Sequence, residues 1–222
     1  VKVATLNLGD GPDDAKARAL ATLVKHGADV ICLQEAGDRG DLLAEFCRRT
    51  GWHSWLGDVT PGASSVPMLW NPRVVIAAHV GTTPATKATN AGPGGAGPNV
   101  VKAKVWNRVR FTDGTVVING HLPASLYLPG RRRLGKQMIA VLVEMVKRRE
   151  AHGTPVVVVG DFNARPSALV LKPLRELGMH QHTHAATHGR RTIDLTWTFG
   201  VEGTTEVLTV PSDHKAVLLT LG

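Results

Sequence analysis

Apolar and polar positions alternate along some stretches of this chain and recur at helical spacing along others, so strands and helices can be read in order. Residues 1–8 alternate, with Val1, Val3 and Thr5 opposite Lys2, Ala4 and Leu6, and predict a strand. Asp13 and Asp14 are placed to cap a helix carrying Ala15, Ala19, Leu20, Leu23 and Val24, with Gly27 as its stop. A second strand is expected over 30–33 and a second helix over 42–49. Strand-like segments follow at 66–70, 74–80, 100–111 and 115–119. Leu134, Met138, Val141, Leu142 and Met145 share one face and predict a long helix. After the strand of Val156 come a helix near 167–177 and strands near 192–199, 204–210 and 216–221. Residues 81–98, dense in Gly, Pro, Thr and Ala, lack apolar anchors and read as a mobile loop inside a domain. Helices flank a strand-rich middle. The expected fold is one α/β domain over residues 1–222, with two sheets packed face to face.

Two polar motifs stand where apolar runs end. Val156 to Val159 lead into Gly160-Asp161-Phe162-Asn163, and Ser212-Asp213-His214 precedes the run from Ala216 to Leu219. Burying such groups unpaired is costly, so a cleft explains them better than a core. A carboxylate beside an amide suits a hydrated divalent cation and a phosphate. An imidazole adjoining a carboxylate suits proton transfer near neutral pH. Together they point to metal-assisted phosphoester hydrolysis.

Composition and charge narrow the substrate. Hydrophobic residues make up 43% of the 222, enough for a sizeable core and unlike a disordered chain. No apolar stretch approaches the length of a membrane span and no signal peptide is visible, so a soluble protein is expected and the compartment is left open. Cys32 and Cys47 make no disulfide framework and read as buried free thiols. The formal charge of +8 is uneven: residues 1–58 hold nine acidic and seven basic residues, and 59–222 hold nine acidic and nineteen basic. No Asp or Glu occurs between Asp58 and Asp113. Such a field attracts a polyanion. Solvated surface lysines would give the same composition, and charge alone does not choose between them. Arg131-Arg132-Arg133 opens the long helix, where backbone phosphate contacts compete with a solvated charge run. His180, His182, His184 and His188 form a histidine-rich run, expected as a flexible loop between helix and strand, with adventitious Zn²⁺ or Ni²⁺ chelation and phosphate contacts as the alternatives.

The polar residues at strand ends, taken in order, carry a resemblance. Thr5-Leu6-Asn7, Leu33-Gln34-Glu35, Asn119-Gly120-His121-Leu122, Gly160-Asp161-Phe162-Asn163, Arg191-Thr192-Ile193-Asp194 and Ser212-Asp213-His214 span nearly the whole chain. Their sequence resembles that of the endonuclease/exonuclease/phosphatase superfamily, the DNase I-like fold. The resemblance implies a four-layer α/β/β/α sandwich of two packed mixed sheets flanked by helices, with the site at one end. It makes Glu35 the principal ligand of Mg²⁺ or Mn²⁺, with Asn7 contributing an amide oxygen and Asp213 beside the metal. Asp161 is implied to orient or deprotonate the attacking water, and Asn163 to hold a phosphate oxygen. His214 is implied to pair with a buried Asp194, which sets its tautomer and favours the imidazolium, for action on the water or the pentacoordinate phosphate; either His214 or Asp161 is the base. His121 is implied as a second imidazole near the leaving oxygen or the scissile phosphate.

Departures from the pattern bear on substrate. The abasic-site endonuclease branch carries a tyrosine where His121 stands and an amide three positions later, at Ala124. His121 is more similar to the DNase I and sphingomyelinase side, where a glutamate from the middle strands supports the histidine. No acidic residue lies between 59 and 112 to fill that place. The expectation is a Mg²⁺- or Mn²⁺-dependent nuclease acting on DNA as a monomer, with Arg131, Arg132 and Arg133 on the backbone. Aromatic residues, at 5%, leave little for base stacking and so for sequence preference. A phosphatase or sphingomyelinase-like phospholipase is the nearest alternative, and an inactive nucleic-acid-binding module is another.

Overall fold

The computed structural model describes residues 1–37, 39–57, 65–86, 89–90, 100–101 and 104–222. Its elements run β1 (Lys2–Asn7), α1 (Asp13–Lys25), β2 (Val30–Gln34), α2 (Gly40–Thr50), β3 (His53–Trp55), β4 (Met68–Trp70) and β5 (Ala77–Pro84). There follow β6 (Thr89–Asn90), β7 (Val100–Val101), β8 (Val105–Phe111), β9 (Val116–His121), α3 (Pro129–Glu150) and β10 (Val156–Asp161). The last are α4 (Lys172–Glu176), β11 (His180–Gln181), β12 (Asp194–Phe199), β13 (Gly203–Leu208) and β14 (Ala216–Leu221).

Two six-stranded sheets form, in the orders β13-β14-β1-β2-β4-β3 and β11-β12-β10-β9-β8-β5. Each has one parallel pair at its centre, β1 with β2 and β9 with β10, and antiparallel neighbours elsewhere. Period-two alternation then divides the apolar residues among three layers of core. Ala4, Leu6, Ile31 and Leu33 face Leu20, Leu23 and Leu43 of α1 and α2. Ile118, Val156 and Val158 face Met138, Leu142 and Leu174 of α3 and α4. Val3, Val30, Val117, Val157, Val159 and Leu219 meet between the sheets. Both faces of β10 are therefore buried, which is why it reads as an unbroken valine run. The result is the expected α/β/β/α order of layers.

Close approach sets two glycine positions. A Cβ on Gly160 would collide with the carbonyl of Gly120 on the neighbouring strand, and one on Gly120 would enter the ring of Trp106. At the same end of the sandwich a buried polar bridge joins the sheets. Gln34 donates to Asn119 Oδ1 at 2.7 Å, and Asn119 donates to the carbonyls of Leu33, Val66 and Pro67 at 2.8, 3.1 and 3.1 Å. Thr5 completes it, accepting from Gln34 at 3.1 Å.

Several expectations shift. Asp13 and Asp14 do not cap α1; they lie in its first turn after Pro12, where their charge suits the positive helix end. Residues 81–84 are strand rather than loop, because β5 pairs with β8 from Gly81↔Arg108 to Pro84↔Val105 and backbone pairing needs no apolar anchor. Residues 87–88 and 91–98 of that stretch lie outside the described residues. The expected strand over 100–111 divides into β7 and β8, and the helix near 167–177 becomes a 3-10 turn, Leu169–Leu171, followed by α4. β3 and β11 were not foreseen. β11 also removes part of the flexible histidine loop, since His180 pairs with Thr198 and His182 Nε2 lies 2.7 Å from Thr198 Oγ1. Cys32 and Cys47 are free thiols, the first buried and the second half-buried.

Candidate active site

Topology explains why scattered residues meet. Asn7, Gln34, His121 and Asp161 close the C-terminal ends of the four parallel strands, while Asp194 and the Ser212–His214 segment begin or precede antiparallel β12 and β14. Antiparallel strands start where their parallel neighbours finish, so all of these positions share one edge. Register pins them: Asn7 stands opposite Gln34, and Asp161 opposite both His121 and Asp194. Just beyond two of the strands, Glu35 and Asn163 adopt left-handed backbone with φ of 57° and 48°. Non-glycine residues rarely take that conformation, and it is concentrated at functional sites.

One half of the site is organised by an amide. Asn7 Oδ1 accepts the Gly9 N–H at 3.0 Å, which leaves Nδ2 to donate to Glu35 Oε1 and Asp161 Oδ2, both at 3.0 Å. As placed, Asn7 offers hydrogens to the carboxylates instead of the amide oxygen expected from the sequence. Asp161 also accepts the Asn163 N–H at 2.8 Å and is almost fully buried. Burial, and then the charge of Asp194, push its carboxyl up to about 7 against the pull of His214, Asn163 and Asn7. Glu35 remains accessible, and its Oε2 makes no hydrogen bond among the described residues. His121 Nε2 lies 3.1 Å from Asn163 Nδ2, 3.5 Å from Asp161 Oδ2 and 3.8 Å from Glu35 Oε1. Burial, with the charges of Lys104 and His214, holds that imidazole well below its ordinary pKa, so it is neutral. An amide and two carboxylates, from β10 and just beyond β2 and β10, thus surround the Nε2 side of His121.

The other half is organised by charge. His214 donates from Nδ1 to the wholly buried Asp194, at 2.9 and 3.1 Å to its two oxygens. Burial opposes the imidazolium, but the hydrogen bond and charge of Asp194, helped by Asp161 and Asp213, hold His214 above its ordinary pKa. Thr187, fully buried, accepts the N–H groups of Ile193 and Asp194 at 3.2 and 3.0 Å and fixes the start of β12. Asp213 is exposed. Its Oδ1 occupies the space a Cβ on Gly9 would need, and its Oδ2 lies 3.7 Å from His188 Nε2. Asp213 therefore groups with His188 and His214, whereas Glu35 groups with His121 and Asp161.

A cleft of about 400 Å³ joins the halves, lined by Glu35, His121, Asp161, Asn163, His188 and His214 together with Lys104, Arg131 and Arg191. Arg132 lines the adjoining cavity, which shares Asn163, and Arg133 lines a third. Lys104, Thr187, His188 and Arg191 were not singled out as site residues from the sequence. Only the position of Arg191 within its motif and of His188 within the histidine run gave any sign. The donor set suits a hard divalent cation, because an accessible carboxylate oxygen with no hydrogen-bond partner stands beside a second carboxylate.

A family model for the endonuclease/exonuclease/phosphatase family matches residues 4–214, a span that includes every one of these groups. The chain belongs to that family. Its members are phosphoester hydrolases, typically dependent on divalent metal. A comparison with curated protein sequences found no match. Solved structures share the fold at low identity. The human Nocturnin catalytic domain with bound sulfate superposes with a TM-score of 0.74 at 16% identity, covering 100% of this chain and 94% of its own. Mannosyl-6-phosphatase from Bacteroides thetaiotaomicron gives 0.74 at 15% identity, with 100% and 99% covered. TDP2 from C. elegans gives 0.71 at 16%, with 100% and 74% covered. Among the described residues no helix is long and apolar enough to cross a membrane.

Proposed function

We propose that this member of the family is a Mg²⁺- or Mn²⁺-dependent phosphodiesterase that hydrolyses DNA as a monomer. The observation that carries the reading is the meeting of Glu35, Asp161 and the Asp194–His214 pair in one cleft bordered by Lys104, Arg131 and Arg191. Glu35 would hold the cation, with Asn7 steadying its carboxylate, while Asp213 stands with His188 and His214 in the other half of the site. Neutralisation of phosphate charge and polarisation of the ester are what a bound divalent cation supplies. Asp161, with a proton affinity near neutrality, accepts the proton of the attacking water. His214, held protonated by Asp194, donates from its free Nε2 to a phosphoryl oxygen. His121 and Asn163 form a neutral wall that positions the phosphate.

DNA is favoured because the basic side chains continue past the cleft. Arg131, Arg132 and Arg133 reach three neighbouring cavities, a spread that suits successive phosphates better than one. A lipid phosphodiester is the second reading, supported by the exposed Tyr127, Leu128 and Leu169 near the same rim. The test compares plasmid DNA, single strands, RNA, sphingomyelin, phosphoinositides and a phosphomonoester at equal enzyme, with Mg²⁺ and with EDTA. DNA cleavage that EDTA abolishes and Mg²⁺ restores is expected. Binding should weaken steeply with salt, and less steeply once all three arginines are neutralised. Lipid turnover without DNA cleavage would replace the first reading with the second, and EDTA-resistant cleavage would end both.

A further inference from the structure

His188 lies against the site yet has no part in the scheme above. Its ring packs on that of His214 with centroids 4.3 Å apart and planes 33° from parallel. Arg191 Nη2 stands 2.8 Å from His188 Nδ1. A guanidinium has hydrogens and no acceptor, so Nδ1 must supply the lone pair and the ring's own hydrogen must sit on Nε2. That Nε2 lies 3.7 Å from Asp213 Oδ2, beyond hydrogen-bond distance of it, and the side chain lines the cleft. The two stacked rings are thus oriented at the same atom by groups of opposite charge. Asp194 takes the Nδ1 hydrogen of His214, and Arg191 fills the Nδ1 lone pair of His188.

The surrounding backbone holds this arrangement. The N–H groups of Thr187 and His188 both bond the Arg191 carbonyl, at 2.9 and 3.1 Å, and the Arg191 N–H bonds the His188 carbonyl at 2.9 Å. The turn is closed at its foot by Lys215, whose N–H reaches the Thr187 carbonyl at 2.7 Å. His188 and His214 are therefore carried on segments tied directly to each other.

We infer that His188 is a second substrate-binding imidazole, whose Nε2–H, set by Arg191, donates to a non-bridging phosphoryl oxygen beside His214. Arg191 is a positioning residue that acts through it. Because a fixed donor needs no proton from solvent, His188 contributes an invariant hydrogen bond while His214 exchanges its proton. This rests on phosphoester hydrolysis taking place in the cleft.

The tautomer can be read without any turnover. Nitrogen-15 NMR of the unmodified protein should show His188 with hydrogen on Nε2 and a bare Nδ1, and Arg191→Met should mix the two tautomers. In kinetics on the substrate found above, His188→Phe keeps a ring on His214 but loses the donor. Its kcat/KM should fall about 10- to 100-fold, the worth of one hydrogen bond to a charged oxygen, with an unchanged melting temperature. His188→Gln, which restores an N–H, should recover most of that loss. An Nδ1–H tautomer in the unmodified protein overturns the inference even if the variants do not fold. So does undiminished turnover in His188→Phe, or a glutamine no better than phenylalanine. Unmodified protein inert towards every phosphoester would instead remove the functional reading while leaving the tautomer result standing.

Discussion

Asp161 and Asp194 face each other across β10 and β12, both buried, yet they are kept in different ways. Asp161 is surrounded by neutral donors, the Asn7 amide and the Asn163 N–H, and its carboxyl is driven towards the protonated form. Asp194 has an imidazole at 2.9 Å, and the proton goes to the histidine. Burial is common to both, so the partner decides where the proton rests. One aspartate becomes a group able to accept a proton near neutral pH, and the other a partner whose hydrogen bond and charge raise the proton affinity of a histidine. The same two strands therefore hold a base and the partner of an acid, built on opposite logic.

The comparison breaks most visibly if either working group is removed. Asp161→Asn and His214→Ala should each lower turnover by about 10²- to 10⁴-fold, the range for general acid–base groups, while nucleic-acid binding persists. Steady-state rates and a binding titration at one salt concentration check this. Asp194→Asn should cost less, about 10- to 100-fold, because the amide can still accept the His214 hydrogen while losing the charge that favours the imidazolium. A loss equal to that of His214→Ala would show Asp194 to be more than an orienting partner. Outside the chemistry, Gln34→Leu should destabilise the protein by about 1–3 kcal/mol, since it takes the donor from the buried Oδ1 of Asn119 between the sheets. Denaturant melts measure it.

The smallest effect has the most telling sign. A folded-state value for Asp161 near 7, above the ordinary carboxylate value, means that its contribution to stability is whole below about pH 4 and is lost as pH rises through 7. Asp161→Asn removes that loss. In EDTA at pH 8 the inactive variant should be more stable by about 1–2 kcal/mol, allowing for an imperfect amide fit, and the gain should vanish near pH 4. Melting temperature against pH for the two proteins gives the answer. Equal curves would mean that Asp161 ionises as an ordinary carboxylate.

How much of this was legible depended on what each feature needs. The layers were visible because Val156 to Val159 and the long helix face declare their burial in residue type alone. The site was visible as motifs because polar residues at the ends of apolar strands have few other uses. His188, Arg191 and Thr187 were not, since their meeting depends on the turn between them and on Lys215 closing it. Lys104 falls inside the strand expected over 100–111, where nothing in its spacing marks it; its place beside the cleft, just before β8, comes from tertiary packing. The direction of the Asn7 amide was equally hidden, because a single N–H, that of Gly9, turns it.

The β1–β14 pairing has a consequence for synthesis. Thr5 lies opposite Val217, and Ser212 Oγ donates to the Asn7 carbonyl at 2.9 Å, so the first strand is completed by the last. A ribosome adding roughly 5–20 residues per second emits Asn7 about 10–40 s before His214. Throughout that interval the growing chain carries its carboxylates with no imidazolium beside them. The Asp194–His214 pair is thus the last part of the cleft to be completed as the chain is made.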